Sequence, residues 1–465
     1  MVFSSLIFLC IFLPSVLILY HAGKNQTYRN AVLVFASLFF YAWGEPVYII
    51  MLVFNSLFTY FTGLITDRHR GQPISKVVFI LSVVVNLSLL GLFKYSGFIV
   101  DNFNLVTGMT LPFQAFALPL GISFFTFQTM SYSIDVYKGN VKVQKSLLKY
   151  MVYVTMFPQL VAGPIVRYID IEDQIDDRQV SLADFESGVL RFVCGMFKKV
   201  VLANSAGKVV SLLLDSELSG LSAVGAWFGI LMYAFQIYFD FAGYADMAIG
   251  LGRFFGFDFP ENFDYPYISG SATEFWRRWH ITLGTFFREY VYIPLGGNRS
   301  HHLRNILAVW ALTGLWHGAS WNFILWGLFY GIILIIEKKA FGGKLLKLPP
   351  VIRNLYSSVI TLIGWSLFYF TDFSRLKAFF KAAVGLNNGV ILDAVTKSEI
   401  LSNLFLVILL FFCSTPLFER TATLTRQRLP YVYSIAKPIF VIAIMALSFV
   451  LLVGQTYNPF LYFRF

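Results

Sequence analysis

The chain has 465 residues and a net charge of +11, with 57% hydrophobic residues, 13% charged residues and a mean hydropathy of +0.68. A soluble protein carries about 25% charged residues, so this chain has too few to cover a water-facing surface, and lipid is its expected solvent. Its 36 Lys and Arg lie mostly in short loops between apolar runs, where they set membrane orientation and meet anionic headgroups, so the positive balance does not imply nucleic acid.

Apolar runs occur near residues 3–20, 30–43, 46–66, 77–93, 113–134, 147–165, 187–214, 222–250, 304–336, 354–371, 400–416 and 434–454. They predict an all-α polytopic membrane protein with about ten to twelve transmembrane helices, joined by re-entrant and interfacial helices. The first run, Val2 to Tyr20, has no basic flank and no A-x-A site, and reads as a retained helix instead of a signal peptide. Lys24/Arg29, Arg68/Arg70/Lys76 and Lys138/Lys142/Lys145/Lys149 are expected on the cytoplasmic side, with the Gly44-Glu45-Pro46 turn opposite. The positive-inside rule then places the N-terminus outside, Lys338 to Arg353 and Arg420 to Lys437 inside, and the C-terminus outside. The three cysteines, Cys10, Cys194 and Cys413, are far apart without CxxC spacing; they read as packing residues, and no metal site is expected.

Met156 to Pro164 has two prolines and a glycine in an apolar run, which predicts a kinked or re-entrant segment. Asp170 to Arg178 reads as an acidic, solvated loop. Within run 222–250 stands Asp240-Phe241-Ala242-Gly243-Tyr244-Ala245-Asp246. Two carboxylates six residues apart do not share a helical face unless the helix breaks, which Gly243 permits. They are expected to form structural ion pairs or hydrogen bonds, with the Arg277/Arg278 region as one partner, or to line a polar channel. Residues 274–299 interleave aromatics and charges at helical spacing and predict a cytoplasmic interfacial element. Within it, His280 follows Arg277 and Arg278 and is expected near the headgroup boundary. Leu376 to Val384 predicts a second, shorter interfacial helix, and no internal repeat points to a transporter built from inverted halves.

The most pointed signal is Leu315-Trp316-His317-Gly318-Ala319-Ser320-Trp321, inside the uncharged run between Arg304 and Glu337. At about 1.5 Å per helical residue, His317 lies roughly 20 Å beyond Arg304, deep in a hydrocarbon core of about 30 Å. An ionisable group there is costly and usually faces a cavity or a functional path. Trp316 would line such a cavity, while Gly314, Gly318, Ala319 and Ser320 leave room for another helix or a substrate chain. Ser320, three residues on, is expected on a similar helical face, though a covalent serine route is not favoured.

The strings Leu118-Pro119-Leu120-Gly121-Ile122-Ser123-Phe124-Phe125-Thr126-Phe127-Gln128, Asp240 to Asp246, Phe275-Trp276-Arg277-Arg278-Trp279-His280 and Leu315 to Ala319 resemble the membrane-bound O-acyltransferase (MBOAT) family. Within it they are most similar to the bacterial branch of alginate O-acetyltransferase membrane subunits. The opening Met1 to Ser5 and the ending Asn458 to Phe463 fit the same branch. The resemblance implies one integral domain, 1–465, with a helical bundle around a central tunnel, 274–299 as its cytoplasmic interfacial or re-entrant element and 304–336 as the segment bearing the catalytic histidine.

By the same resemblance His317 is the essential histidine and His280 the second family histidine. Arg277, Arg278, Asn298 and Arg299 would meet the phosphates of the donor, since Arg forks match phosphate oxygens. Trp316, Asp240 and Tyr244 would line the substrate path. The donor would be a cytoplasmic thioester, acetyl-CoA or an acyl carrier, with no bound cofactor. The product would be an O-acetylated exported polysaccharide, with an extracytoplasmic acetyltransferase of the SGNH type as partner, and the expected location is a bacterial plasma membrane. Two other readings stay open: D-alanyl transfer to teichoic acid within the same family, and a proton-coupled transporter that uses His317 as a relay.

Overall fold

The structure, a computed structural model, describes residues 1–387, 389–454 and 460–461. Of the terminal string Asn458 to Phe463, only Phe460 and Leu461 fall within it. About three quarters of the described residues are helical, with an isolated antiparallel bridge between Phe263 and Trp279. They form two compact units. The first comprises Met1–Phe192, Tyr244–Glu261 and Arg288–Tyr290; the second comprises Val193–Gly243, Asn262–Phe287 and Val291–Phe465.

The first unit contains α1 (Leu13–Ala22), α2 (Gln26–Gly44), α3 (Ile49–Arg68), α4 (Pro73–Leu90), α5 (Ser96–Thr107), α6 (Ile122–Lys138), α7 (Leu147–Thr155), α8 (Phe157–Leu160) and α9 (Tyr168–Asp176). Nearly every side chain of α6 is buried, and its polar ones join neighbouring helices. Ser133 and Ser82 hydroxyls lie 2.9 Å apart, and Thr129 donates to Asn86 at 2.7 Å. Such bonds hold helices together where lipid is as apolar as the side chains. The proline-rich segment breaks as its sequence predicts: α7 ends at Thr155, α8 makes one turn, and the chain then runs without helix to Arg167.

The acidic segment corrects the sequence reading. It is not a loop but helix α9, because Tyr168, Ile171 and Ile175 recur at helical spacing and are all buried. Arg167 and Asp170 pair at 2.6 Å at its start. Arg178 is also buried, and donates to Asn30 Oδ1 at 2.7 Å and to the Phe255 carbonyl at 3.0 Å.

Helices α10 (Leu182–Phe197) and α12 (Ala223–Phe254) each have residues in both units, with α11 (Asn204–Val210) between them in the second. The second unit continues with α13 (Ala272–Arg278), α14 (Ile281–Phe287), α15 (His302–His317), α16 (Trp321–Ile336), α17 (Pro350–Tyr369), α18 (Phe373–Ala383), α19 (Ala394–Ser402), α20 (Leu404–Cys413), α21 (Leu417–Arg428) and α22 (Pro430–Val453). Helix α18 covers most of 376–384, where the sequence predicts a short helix.

Among the described residues, five helical stretches are by themselves long and apolar enough to cross a membrane: Ile49–Arg68, Pro73–Thr107, Ala223–Phe254, Pro350–Tyr369 and Pro430–Val453. The pair α19 and α20, bent by 59°, makes a sixth if it counts as one span. The remaining apolar runs fold as shorter or interrupted helices, so an expectation of ten to twelve crossings rests on those as well. The chain is a polytopic membrane protein.

Residues 304–336 depart from the reading as one uninterrupted segment. They form an antiparallel hairpin, α15 and α16, turned at Gly318–Ser320. The helices touch backbone to backbone: a Cβ at Gly327 would overlap the Trp310 carbonyl oxygen, and one at Gly314 would overlap that of Phe323. Arg299 and Arg304 stand at the start of α15 and Lys338 and Lys339 follow α16, so the open end is basic and the turn lies at the other end. Asn322, fully buried, donates to the Leu367 and Phe368 carbonyls at 3.3 Å and ties the start of α16 to the end of α17.

Candidate active site

His317 is the last residue of α15, 4% exposed and next to the hairpin turn. Its ring stands edge-to-face among three aromatics, with centroids 5.0 Å from Trp316, 4.9 Å from Trp326 and 5.2 Å from Phe368. These belong to a larger aromatic cluster. Trp276 sits 5.3 Å from Trp326 and 4.7 Å from Tyr330, and Trp365 packs 5.6 Å from Phe368. Each such pair adds about 0.5–1.5 kcal/mol beyond its area, so the walls around the imidazole are stiff. Ser320 is not on the helical face of His317, because the helix ends between them; it is the residue that opens α16.

His280 is 2% exposed, packed inside the protein in a left-handed break (φ 47°) between α13 and α14. Asn262 Oδ1 accepts from the Thr282 amide at 3.2 Å and hydroxyl at 2.9 Å, and lies 3.1 Å from His280 Nδ1. An acceptor oxygen there requires Nδ1–H, which leaves Nε2 as the basic nitrogen. Burial pushes the His280 imidazole down to about 3, so it stays neutral near pH 7. Its ring packs on Phe241 at 4.7 Å and on Trp316 at 5.7 Å. Trp316 therefore touches both histidines, and the structure brings His280, Trp316 and His317 together.

Asp240 belongs to the same unit but has another partner. Helix α12 does not break at Gly243; a Cβ there would lie 2.7 Å from the Gly195 carbonyl, so the glycine serves close packing. Asp240 pairs with buried Lys199 and accepts from the Leu461 amide at 2.7 Å. Asp246, in the first unit, pairs with Arg191 at 2.7 Å. The ion-pair expectation holds, but the partners are not Arg277 and Arg278. Tyr244 lies in the first unit, buried and stacked on Phe3 at 4.7 Å.

The remaining candidate residues lie on α13 and on the turn before α15. Arg277 is exposed, and Arg278 pairs with Asp264 at 2.8 Å and Glu274 at 3.1 Å. Asn298 and Arg299 sit on a turn whose carbonyls of Leu295, Gly297 and Ser300 accept from buried Asn305 Nδ2. Lys338 lies 2.7 Å from His302 Nε2, Tyr292 lies 2.8 Å from His302 Nδ1, and Tyr292 donates to Asn298 at 2.7 Å. One hydrogen assignment satisfies the chain: Lys338 donates to a neutral His302, whose Nδ1–H donates to Tyr292. Burial and the Lys338 charge hold His302 below its ordinary value, in agreement. Glu337 faces inward and caps α13, accepting from the Ala272 and Thr273 amides at 2.7 and 2.9 Å. The basic end of the hairpin thus presents cations without an exposed carboxylate from Glu337.

Beside the hairpin turn opens a cavity of about 570 Å³. It is bounded by Gly318, Ala319, Ser320 and Phe323, by Tyr233 and Gln236 of α12, and by the connection from Tyr369 to Arg375. The sequence reading missed Asn262, Asn322 and Glu337, which position the site. The Ser271-x-x-Glu274 pattern, with Ser271 as N-cap accepting from the Glu274 amide at 3.0 Å, is a signal that locates the start of α13. Nothing in the sequence pattern pairs Asn262 or Asn322 with their partners. Among the described residues, no three or more His, Cys, Asp or Glu side chains converge to hold a metal ion.

The sequence profile of the membrane-bound O-acyltransferase family matches residues 35–343. A protein of Azotobacter vinelandii named "Probable alginate O-acetylase AlgI" is 36% identical over the full length of both chains. The "Peptidoglycan O-acetyltransferase" of Helicobacter pylori is 37% identical over 85% of this chain and 82% of its own. The "Teichoic acid D-alanyltransferase" of Streptococcus thermophilus is 33% identical over 47% of this chain and 56% of its own. With that match and the O-acetylating relatives that align over most or all of the chain, it belongs to the membrane-bound O-acyltransferase family and is an acyltransferase.

Proposed function

We propose that this chain moves an acetyl group from a cytoplasmic thioester, acetyl-CoA or an acyl carrier, to a hydroxyl reached from the opposite face of a bacterial plasma membrane. The observation that carries the reading is His317: a buried imidazole in an aromatic box, one residue from a cavity wall, at the end of the hairpin opposite Arg304 and Lys338. His317 acts as general base. It takes the hydroxyl proton as the acceptor oxygen attacks the thioester carbonyl carbon, and returns it to the sulfur as the C–S bond breaks. The products are an O-acetyl ester and a free thiol.

His280 is held neutral by burial and oriented by Asn262, and acts by fixing Trp316 against His317. The basic end of the hairpin, with Arg299 and Lys338, receives the donor's phosphates. On the positive-inside rule this end is cytoplasmic and the N-terminus is outside. Acetyl is favoured over D-alanyl because the relatives that align along the whole chain carry acetylation in their names, whereas the D-alanyltransferase aligns over about half. The acetyl group is destined for a cell-surface polysaccharide, with a separate extracytoplasmic acetyltransferase taking part in delivery.

The test is reconstitution of the purified chain in liposomes with radiolabelled acetyl-CoA on the side of the basic end. Label appearing in ester linkage on an acceptor at the other side, absent with His317→Ala, supports the proposal. Turnover of a D-alanyl thioester alone would move the assignment to aminoacyl transfer. Solute flux without ester formation would replace it with transport.

A further inference from the structure

Lys199 and Asp240 form a buried ion pair in the second unit, 2% and 3% exposed. The backbones that carry them are in close contact, since a Cβ at Gly243 would lie 2.9 Å from the Lys199 amide nitrogen. A buried pair adds little net stability, because well-packed apolar residues of similar volume often do as well. The second contacts of each partner therefore matter more than the pair itself.

Both second contacts go to one dipeptide, Phe460–Leu461, which follows α22. Asp240 Oδ2 accepts from the Leu461 amide at 2.7 Å. The Lys199 ammonium lies 4.7 Å from the centroid of the Phe460 ring. The carboxylate holds an N–H and the cation holds an aromatic face, each by the contact its charge favours. Phe460 is 1% exposed, so its ring is enclosed by protein. Helix α22 packs against the π-helical stretch Lys198–Ala203 and brings the chain back to Lys199.

Leu461 also belongs to the wall of the cavity beside the hairpin turn, together with Gly318, Ala319 and Ser320. Gly318 follows His317 directly. The ion pair, the dipeptide and the cavity next to the histidine are one connected structure.

We propose that the Lys199–Asp240 pair clamps Phe460–Leu461, and that the clamped dipeptide is a positioning element for acyl transfer at His317. Lys199 and Asp240 act through Leu461, which fixes the cavity wall beside the hairpin turn. The turnover half of this statement rests on the acetyl-transfer reading above; the clamp half does not.

The experiment compares the purified full-length wild-type chain with Lys199→Met/Asp240→Leu and with Leu461→Pro. Acetyl turnover is measured in liposomes, and hydrogen exchange in detergent by mass spectrometry at single-amide resolution. The double variant replaces both charges by apolar groups and is expected to keep most of the wild-type unfolding midpoint. Its Leu461 amide has lost its acceptor and is expected to exchange at least about tenfold faster. Its kcat should fall at least about tenfold, because a cavity wall that shifts misplaces the reacting groups. The donor KM should change less than about twofold, since the donor's phosphates meet the other end of the hairpin. Leu461→Pro keeps the ion pair, removes the donor N–H and should lower kcat to a similar extent.

A pair with a structural role alone predicts wild-type kcat in a folded double variant, and that result overturns the proposal. Fast exchange of the Leu461 amide in the wild-type chain overturns it too, as does a protected Leu461 amide in the double variant, or full kcat in Leu461→Pro. If the double variant does not fold, Leu461→Pro decides. A wild-type chain without acetyl turnover removes the acetyl-transfer reading, and exchange at Leu461 then decides the clamp.

Discussion

Replacing Gly327 by alanine tests whether the hairpin geometry sets the site. The methyl group would meet the Trp310 carbonyl oxygen, with the Trp310 carbonyl carbon at 3.1 Å and Gly314 Cα at 3.2 Å, so backbone obstructs it on every side. To regain an ordinary contact, α15 and α16 must separate by about 1 Å. Overpacking of this kind costs about 1–3 kcal/mol. Because Trp310 and His317 are on one helix and Trp326 on the other, the same separation opens the box around the imidazole. A displacement of about 1 Å near reacting groups can reduce rate by roughly 10²-fold. Gly314→Ala should act alike through Phe323, whereas Gly343→Ala, with no atom within 4 Å of its Cβ, should be silent. The assay is acetyl turnover per mole of membrane-inserted protein, with thermal unfolding in detergent measured in parallel. Full turnover and an unchanged unfolding midpoint in Gly327→Ala would refute the reasoning.

Asp240→Asn leaves Lys199 charged and buried, and should cost about 3–5 kcal/mol in unfolding experiments; the apolar double variant Lys199→Met/Asp240→Leu should recover much of it. Equal losses in both would mean that the charge pair is not the cause. Asn322→Leu removes the tie from α16 to the Leu367 and Phe368 carbonyls and should lower stability by about 1–3 kcal/mol, with a larger loss of turnover than Gly343→Ala. His280 has a usual value of 6.5 but about 3 when folded, so the unfolded chain binds a proton that the folded one refuses. Its contribution is complete above pH 6.5 and is lost as pH falls toward 3, with a slope of at most about 1.4 kcal/mol per pH unit. Denaturant titrations at several pH values should show a smaller acid-side slope for His280→Gln; an identical slope would assign the acid sensitivity elsewhere.

Much of the helical organisation was legible because lipid demands apolar runs, and those runs became α1 to α4, α6, α7, α10 to α12, α15 to α17, α20 and α22. The prolines of Met156 to Pro164 were equally legible, since a missing N–H breaks a helix wherever it falls. The hairpin at Gly318–Ser320 was not, because both arms are apolar and a three-residue turn leaves hydropathy unchanged. Helix α9 was misread although the signal existed: the spacing of Tyr168, Ile171 and Ile175 outweighs the acidic residues between them. His317 stood out through depth alone. Its setting did not, since Trp326 and Phe368 are distant in sequence, and the same limit hid Asn262 from His280 and Lys199 from Asp240. Periodicity says which face is buried; it does not say which polar partner waits there.

The most direct test of the central claim is polysaccharide-bound acetate in cells carrying the wild-type chain or His317→Ala, at equal membrane levels of the two proteins. The account predicts that ester-linked acetate falls to background in the variant. Acetate at the wild-type level would contradict the assignment of acyl transfer to His317.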